Sequence, residues 1–209
     1  MIQYIAKIER MSIMNQEIEI EFKNLLSYEE FQKLIRHFQI VPSDFAAQEN
    51  HYFDTPDFAL KKHGAALRIR HKNAKYVLTL KQPAAEGLLE THESLHAETA
   101  ERMLETSAMI DGAISTILRT EFQIRPSDLQ CFGTLATSRA ETQYMGGTLV
   151  LDHSTYLSNE DYELEYEVSD YAEGKENFNN LLKQLNIPIR KTDNKIKRFY
   201  NAKFNKMNL

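Results

Sequence analysis

The chain has no tryptophan, one cysteine, five prolines and seven glycines among 209 residues. A lone Cys131 rules out an internal disulfide and suits a reducing compartment. The few prolines and glycines do not gather into a linker, and there is no repeat or low-complexity tract. Apolar runs are short. None approaches the ~18 residues a membrane-spanning helix needs, and Met1 to Asn15 carries only scattered apolar residues, too few for a secretion signal. Positive charge is also scarce: 25 Lys and Arg stand against 30 Asp and Glu, for a net charge of -5. That balance argues against a general nucleic-acid binder. The expectation is a cytoplasmic protein with neither a membrane nor a nucleic acid as partner, its oligomeric state open. Residues 1–14 are expected to form a poorly ordered leader ahead of a single domain over 15–209. With 42% hydrophobic residues, that domain can build a core.

What the chain does have is alternation. Glu17-Ile18-Glu19-Ile20-Glu21-Phe22-Lys23 keeps strict period two, the mark of a strand with two unlike faces. Carboxylates about 7 Å apart along one face repel unless a metal or a bank of Lys and Arg lies opposite. The same pattern recurs. Arg68 and Arg70 share a face, as do Thr79 and Lys81, and Thr137, Arg139 and Glu141. Glu163, Glu165 and Glu167 align against Tyr162, Leu164, Tyr166 and Val168.

Further strands are expected at 47–53, 65–71, 76–82, 88–95, 132–144, 148–154 and 161–169, with turns at Lys72-Asn73-Ala74-Lys75 and Gly146-Gly147. Helices are expected at 28–39, opened by the capping-box spacing Ser27 to Glu30, at 97–105, 110–120 and 174–186, and from about Thr192 on. Eight strands, mostly sequence neighbours, fit an α+β protein built on a closed eight-stranded antiparallel barrel with helices packed outside. An ordinary sheet with one wet face explains any single strand. It does not explain why acids and bases segregate strand by strand. Turning the charged faces inward does, with Ile18, Ile20, Leu78 and Leu80 outward under helices. Such a site fits a polyanion held by Arg and Lys together with a hard divalent cation on carboxylates.

The order Glu19-x-Glu21-x-Lys23, Tyr52-Phe53-Asp54-Thr55, Leu67-Arg68-Ile69-Arg70, Thr79-Leu80-Lys81-Gln82, Arg139, Asp152, Glu163-x-Glu165-x-Glu167 and Lys195 resembles the CYTH superfamily, the triphosphate tunnel metalloenzymes, over about residues 17–200. The resemblance implies a tunnel that binds a triphosphate-containing small molecule with Mg²⁺ or Mn²⁺ and hydrolyses it. By position, Glu19, Glu21, Asp152, Glu163 and Glu165 resemble metal ligands. Glu19, Glu21 and Glu165 resemble catalytic carboxylates, with Glu17 and Glu167 as outlying members of the two banks. Lys23, Arg68, Arg70, Lys81, Arg139 and Lys195 resemble the phosphate-binding cations. The implied activity is hydrolysis of inorganic triphosphate or a related small triphosphate. The alternatives are a non-catalytic polyphosphate- or nucleotide-binding module, an adenylate cyclase and a thiamine triphosphatase.

One strand departs from the family pattern of Arg-x-Glu-x-Glu. It reads Glu90-Thr91-His92-Glu93, which leaves His92 with either a phosphate or proton-transfer role or a plain surface place. The other histidines show no metal-ligand spacing. Cys131 is expected to be buried in a strand. Most of Lys191, Lys197, Arg198, Lys203 and Lys206 are expected on a solvated face, with Lys195 the exception.

Overall fold

The structure is a computed structural model and describes residues 15–85 and 87–207, with side chains from Gln16 to Lys203. The expected leader lies outside the described residues. In chain order the elements are β1 (Asn15–Leu26), α1 (Tyr28–His37), β2 (Ala46–Asp54), α2 (Ala59–Lys62), β3 (Ala66–Lys72), β4 (Lys75–Pro83), β5 (Leu88–Leu95), α3 (Ala97–Thr106), α4 (Ala113–Thr120), β6 (Gln130–Tyr144), β7 (Gly147–Tyr156), β8 (Asn159–Val168), α5 (Tyr171–Gln184) and α6 (Lys195–Met207). The strands form a closed antiparallel barrel in the order β1-β5-β4-β3-β2-β6-β7-β8. No described helix is long and apolar enough to cross a membrane.

Turn chemistry sets the register. Asn73 and Ala74 both take positive φ, 51° and 58°, as a two-residue hairpin turn requires. The β6–β7 turn falls on Met145 and Gly146, one residue earlier than the expected Gly146-Gly147. Gly147 opens β7 instead, where a Cβ would meet the Glu167 carbonyl oxygen at 2.6 Å. Leu157 and Ser158 make the β7–β8 turn with φ of 48° and 66°, although Leu157 does not announce it and Ser158 does so only weakly.

Caps account for where the helices start. Ser27 and Glu30 form the expected capping box of α1. α5 begins at Tyr171, not 174, because the Asp170 carboxylate accepts from the Glu173 N–H at 2.8 Å. α6 begins at Lys195 rather than Thr192: the Asn194 side-chain oxygen accepts from the Lys197 N–H at 3.0 Å. The Thr192 hydroxyl is occupied elsewhere and accepts from the Leu25 N–H at 2.9 Å.

The chain divides into two compact units. The first holds β1 up to Ile18 and His51–Gly133; the second holds Glu19–Asn50 and the chain from Thr134 on. In the first, Leu67 and Ile69 of β3 and Leu78 and Leu80 of β4 pack with Leu60, Met103, Ile114, Ile117 and Leu118 of helices α2, α3 and α4. Cys131 is half-buried against this core rather than buried. In the second, Ala140, Leu149, Leu151, Leu164 and Tyr166 pack with Phe31 and Leu34 of α1 and with Phe178, Leu181 and Leu182 of α5. Each unit therefore spends the apolar face of its strands on helices, as expected, which leaves the charged face for other work. The apolar stripe of β1 is the exception. Ile18 is 54% exposed and Ile20 half-buried. Cover begins at Phe22, whose ring lies 5.2 Å from Tyr171 and 5.9 Å from Phe178 of α5.

Candidate functional site

In the second unit, cross-strand register puts the charges on one face. Glu21 pairs with Glu167 and Lys23 with Glu165. Asp152 pairs with Glu163 on one side and with Arg139 on the other. The face is not open to solvent: Asp152 and Glu163 are 0% exposed, Glu165 5% and Arg139 9%. Buried charges demand partners, and the sequence supplies them. The Lys195 ammonium, from the first turn of α6, sits 2.8 Å from Asp152, 2.7 Å from Glu163 and 2.5 Å from Glu165. The Arg139 guanidinium donates through Nε and Nη2 to the two Asp152 oxygens at 2.8 and 2.7 Å, and through Nη2 to Glu165 at 2.8 Å. Lys23 pairs with Glu21.

Arg198 completes the cage. It donates to Asp161 at 2.9 and 3.1 Å and to Glu163 at 2.8 Å, with only 11% of its side chain exposed. That overturns its expected place on a solvated face. Its spacing was the available signal: i+3 from Lys195 puts both on one side of α6. Lys197, by contrast, is solvated as expected, 56% exposed and paired with Asp193.

Acid–base balance follows from this wiring. Burial alone would raise Glu165, but Lys195, Arg139 and Lys23 outweigh it and hold the carboxyl well below the usual range. Asp152 is lowered against burial by Lys195 and Arg139. Lys195 stays charged against burial because Asp152, Glu165 and Glu163 surround it. Glu167 goes the other way. Burial, with Glu165, Glu19 and Glu21 adding and only Arg139 opposing, pushes it up to about 7.

The first unit brings together a different set on the face of β3, β4 and β5 opposite its core. Arg68 pairs with Thr79 in register, and Ala66 with Lys81. Thr79 pairs with His92, and Lys81 with Glu90. Lys81 forms an ion pair with Glu90, which is 3% exposed. His92 Nδ1 lies 3.0 Å from the Thr79 hydroxyl, and its Nε2 lies 3.1 Å from Glu17 and 3.4 Å from Glu90. Arg68 Nε is buried and has no hydrogen-bond partner among the described residues. Arg70 is half-buried on the same face of β3.

Of the residues singled out in the sequence, Glu19, Glu21, Lys23, Arg139, Asp152, Glu163, Glu165 and Lys195 thus fall in the second unit, and Arg68, Arg70 and Lys81 in the first. Asp161 and Arg198 escaped sequence reasoning, as did the link of Glu17 to His92. The second unit's donor set suits a hard divalent cation, since it offers carboxylate oxygens alone. Its acids also outnumber the cations beside them, as the upward push on Glu167 by Glu19 and Glu21 attests.

Comparison with known proteins agrees with this architecture. Residues 17–200 match the model of the CYTH domain. The Bacillus subtilis (strain 168) protein YjbK, named as a candidate triphosphatase, is 52% identical over 190 residues, covering 91% of this chain and 98% of its own length. The crystal structure of a candidate adenylate cyclase from Bacillus halodurans superposes with a TM-score of 0.86 at 46% identity, over 90% of this chain and all of that one. A Hippeastrum candidate adenylyl cyclase, described as having a dominant triphosphatase activity, gives a TM-score of 0.76 at 26% identity, over 88% of this chain and 96% of that one.

Proposed function

The chain belongs to the CYTH domain family, and on that premise we propose that it is a cytoplasmic hydrolase of inorganic triphosphate or a related small triphosphate, dependent on Mg²⁺ or Mn²⁺. The observation that carries the reading is Arg68 Nε, a buried cationic donor without a partner among the described residues. A buried unsatisfied donor is costly, and an oxyanion would satisfy it. Arg68, Arg70 and Lys81 are proposed as phosphate-binding cations of the first unit, and Lys23, Arg139 and Lys195 as those of the second. The names of the Bacillus and Hippeastrum relatives support the same substrate class.

In the second unit the cations are paired with acids. The proposal is a change of partners. Arg139 and Lys195 would give up carboxylate oxygens for phosphate oxygens, and Glu19, Glu21, Asp152, Glu163 and Glu165 are the residues that would hold the metal. Both halves of each ion pair then keep a counter-charge, so the exchange leaves no bare buried charge. The metal would neutralise the phosphate chain and polarise a phosphoryl oxygen. The carboxylates Glu19, Glu21 and Glu165 orient water in line with the terminal phosphorus, and one of them accepts its proton. The water oxygen bonds to phosphorus, the bridging P–O bond breaks, and phosphate and diphosphate leave.

The test is phosphate release from inorganic triphosphate, thiamine triphosphate and ATP with Mg²⁺ or Mn²⁺, with cyclic AMP followed in the same samples. Metal-dependent release from inorganic triphosphate is expected. Cyclic AMP as the main product would favour the cyclase reading suggested by the Bacillus halodurans relative. Triphosphate binding without release would leave a binding module.

A further inference from the structure

We propose that Glu17, Glu90 and His92 form a second, separate divalent-cation site, built for a borderline transition ion such as Zn²⁺ rather than for Mg²⁺. It shares no ligand with the carboxylate bank assigned above and does not depend on the triphosphatase reading. One ligand atom from each residue lies within 4.8 Å of the other two. The spacings are those of a coordination sphere. Ligands at about 2.0–2.1 Å around a tetrahedral ion stand about 3.3–3.4 Å apart, and His92 Nε2 is 3.1 Å from Glu17 Oε1 and 3.4 Å from Glu90 Oε2.

The surroundings prepare each donor. The Thr79 hydroxyl, 3.0 Å from Nδ1 and on a residue 2% exposed, can accept a hydrogen bond from Nδ1–H and so leave the Nε2 lone pair aimed at the two carboxylates. A lone pair facing two carboxylates is repulsive until a cation sits between them. Glu90 divides its oxygens: Oε1 faces Lys81, and Oε2 faces His92. Lys81 offsets one of the two negative charges, so the empty set carries one net negative charge and a divalent ion would leave it positive. Glu17 is 66% exposed by side chain while Glu90 is 4% exposed, so the set has an open side for entry and a fixed inner wall. The donor set decides the metal class. One imidazole nitrogen with two carboxylate oxygens favours Zn²⁺ and its neighbours, whereas Mg²⁺ prefers oxygen alone.

The experiment is equilibrium dialysis of the full chain against Zn²⁺, with NMR of the histidine rings on loading with paramagnetic Co²⁺. Wild type should hold one Zn²⁺ more than His92→Gln, an ion that Glu17→Gln binds at least ~10-fold more weakly. Glu21→Gln should retain it. In the Co²⁺-loaded protein the His92 ring signals should be shifted far out of the normal range. Equal Zn²⁺ binding by wild type and His92→Gln would overturn the site, and so would His92 signals that stay in place. Glu17→Gln guards against a folding artefact, since its side chain is mostly in solvent.

Discussion

The two units put charge on the strand face opposite their apolar cores and leave it in different states. In the second, Asp152, Glu163 and Glu165 each have an ammonium within 2.8 Å, and Arg139 grips Asp152 with two hydrogen bonds. In the first, Arg68 Nε is buried with no partner among the described residues, and His92 bridges towards Glu17 and Glu90 from 3.1 and 3.4 Å. The buried acids of one face have cations beside them. The other keeps a buried guanidinium donor without a hydrogen-bond partner among the described residues. The same alternating pattern can therefore leave its buried charges paired, as Asp152, Glu163 and Glu165 are with Lys195, or leave a buried donor over, as at Arg68 Nε.

The largest expected difference is in stability. Arg139→Met leaves Asp152 and Glu165 to share Lys195 in a buried site, and losing one partner of such a pair costs about 3–5 kcal/mol. Lys81→Met removes the partner of Glu90 alone, beside the mostly exposed Glu17, and should cost less. Urea unfolding of the two variants checks the order. A larger loss from Lys81→Met would break the contrast.

A smaller effect should appear in ligand response. Triphosphate should raise the melting temperature of the wild type in proportion to occupancy. Arg70→Ala should shrink that rise several-fold, while Lys197→Ala, at an exposed surface pair, should leave it nearly unchanged. Equal shrinkage would mean diffuse surface attraction rather than a built site.

The smallest effect is on pH dependence at the edge of the cage. Burial, then the hydrogen bond from its hydroxyl to Asp161 and that residue's charge, push Tyr156 up to about 12. The folded state thus holds this proton more tightly than the unfolded chain, whose tyrosines titrate near 10. The contribution is complete below about pH 10 and is lost as pH rises from about 10 to about 12. Tyr156→Phe should flatten stability against pH in that window. An unchanged slope would show that the Tyr156–Asp161 contact is not coupled to folding.

Much of this was legible in the chain. Period-two alternation named the strands and their two faces, and segregation of acids from bases by strand pointed to an inward charged face. Gly146 and Asn73 marked two turns. What escaped detection lay in partners distant in sequence. Arg198 looked like one more basic residue of a terminal helix, because nothing near it in sequence names Asp161 or Glu163. His92 looked like a lone strand histidine, because Glu17 is 75 residues away. Leu157 carries no turn signature, so Ser158 alone marks that turn only weakly. Ile18 fits the apolar stripe of β1 by pattern but is 54% exposed.

The central claim is that the alternating carboxylates of β1 serve metal-assisted hydrolysis of a triphosphate rather than the fold. The direct measurement is phosphate release from inorganic triphosphate by wild type and Glu21→Gln, each with Mn²⁺ and with a chelator, beside a melting curve for both. Wild type should release phosphate in a way the chelator abolishes, and Glu21→Gln should lose at least ~100-fold, a few kcal/mol of transition-state stabilisation, with the melting temperature kept. Full activity in Glu21→Gln, or release indifferent to the chelator, would contradict it.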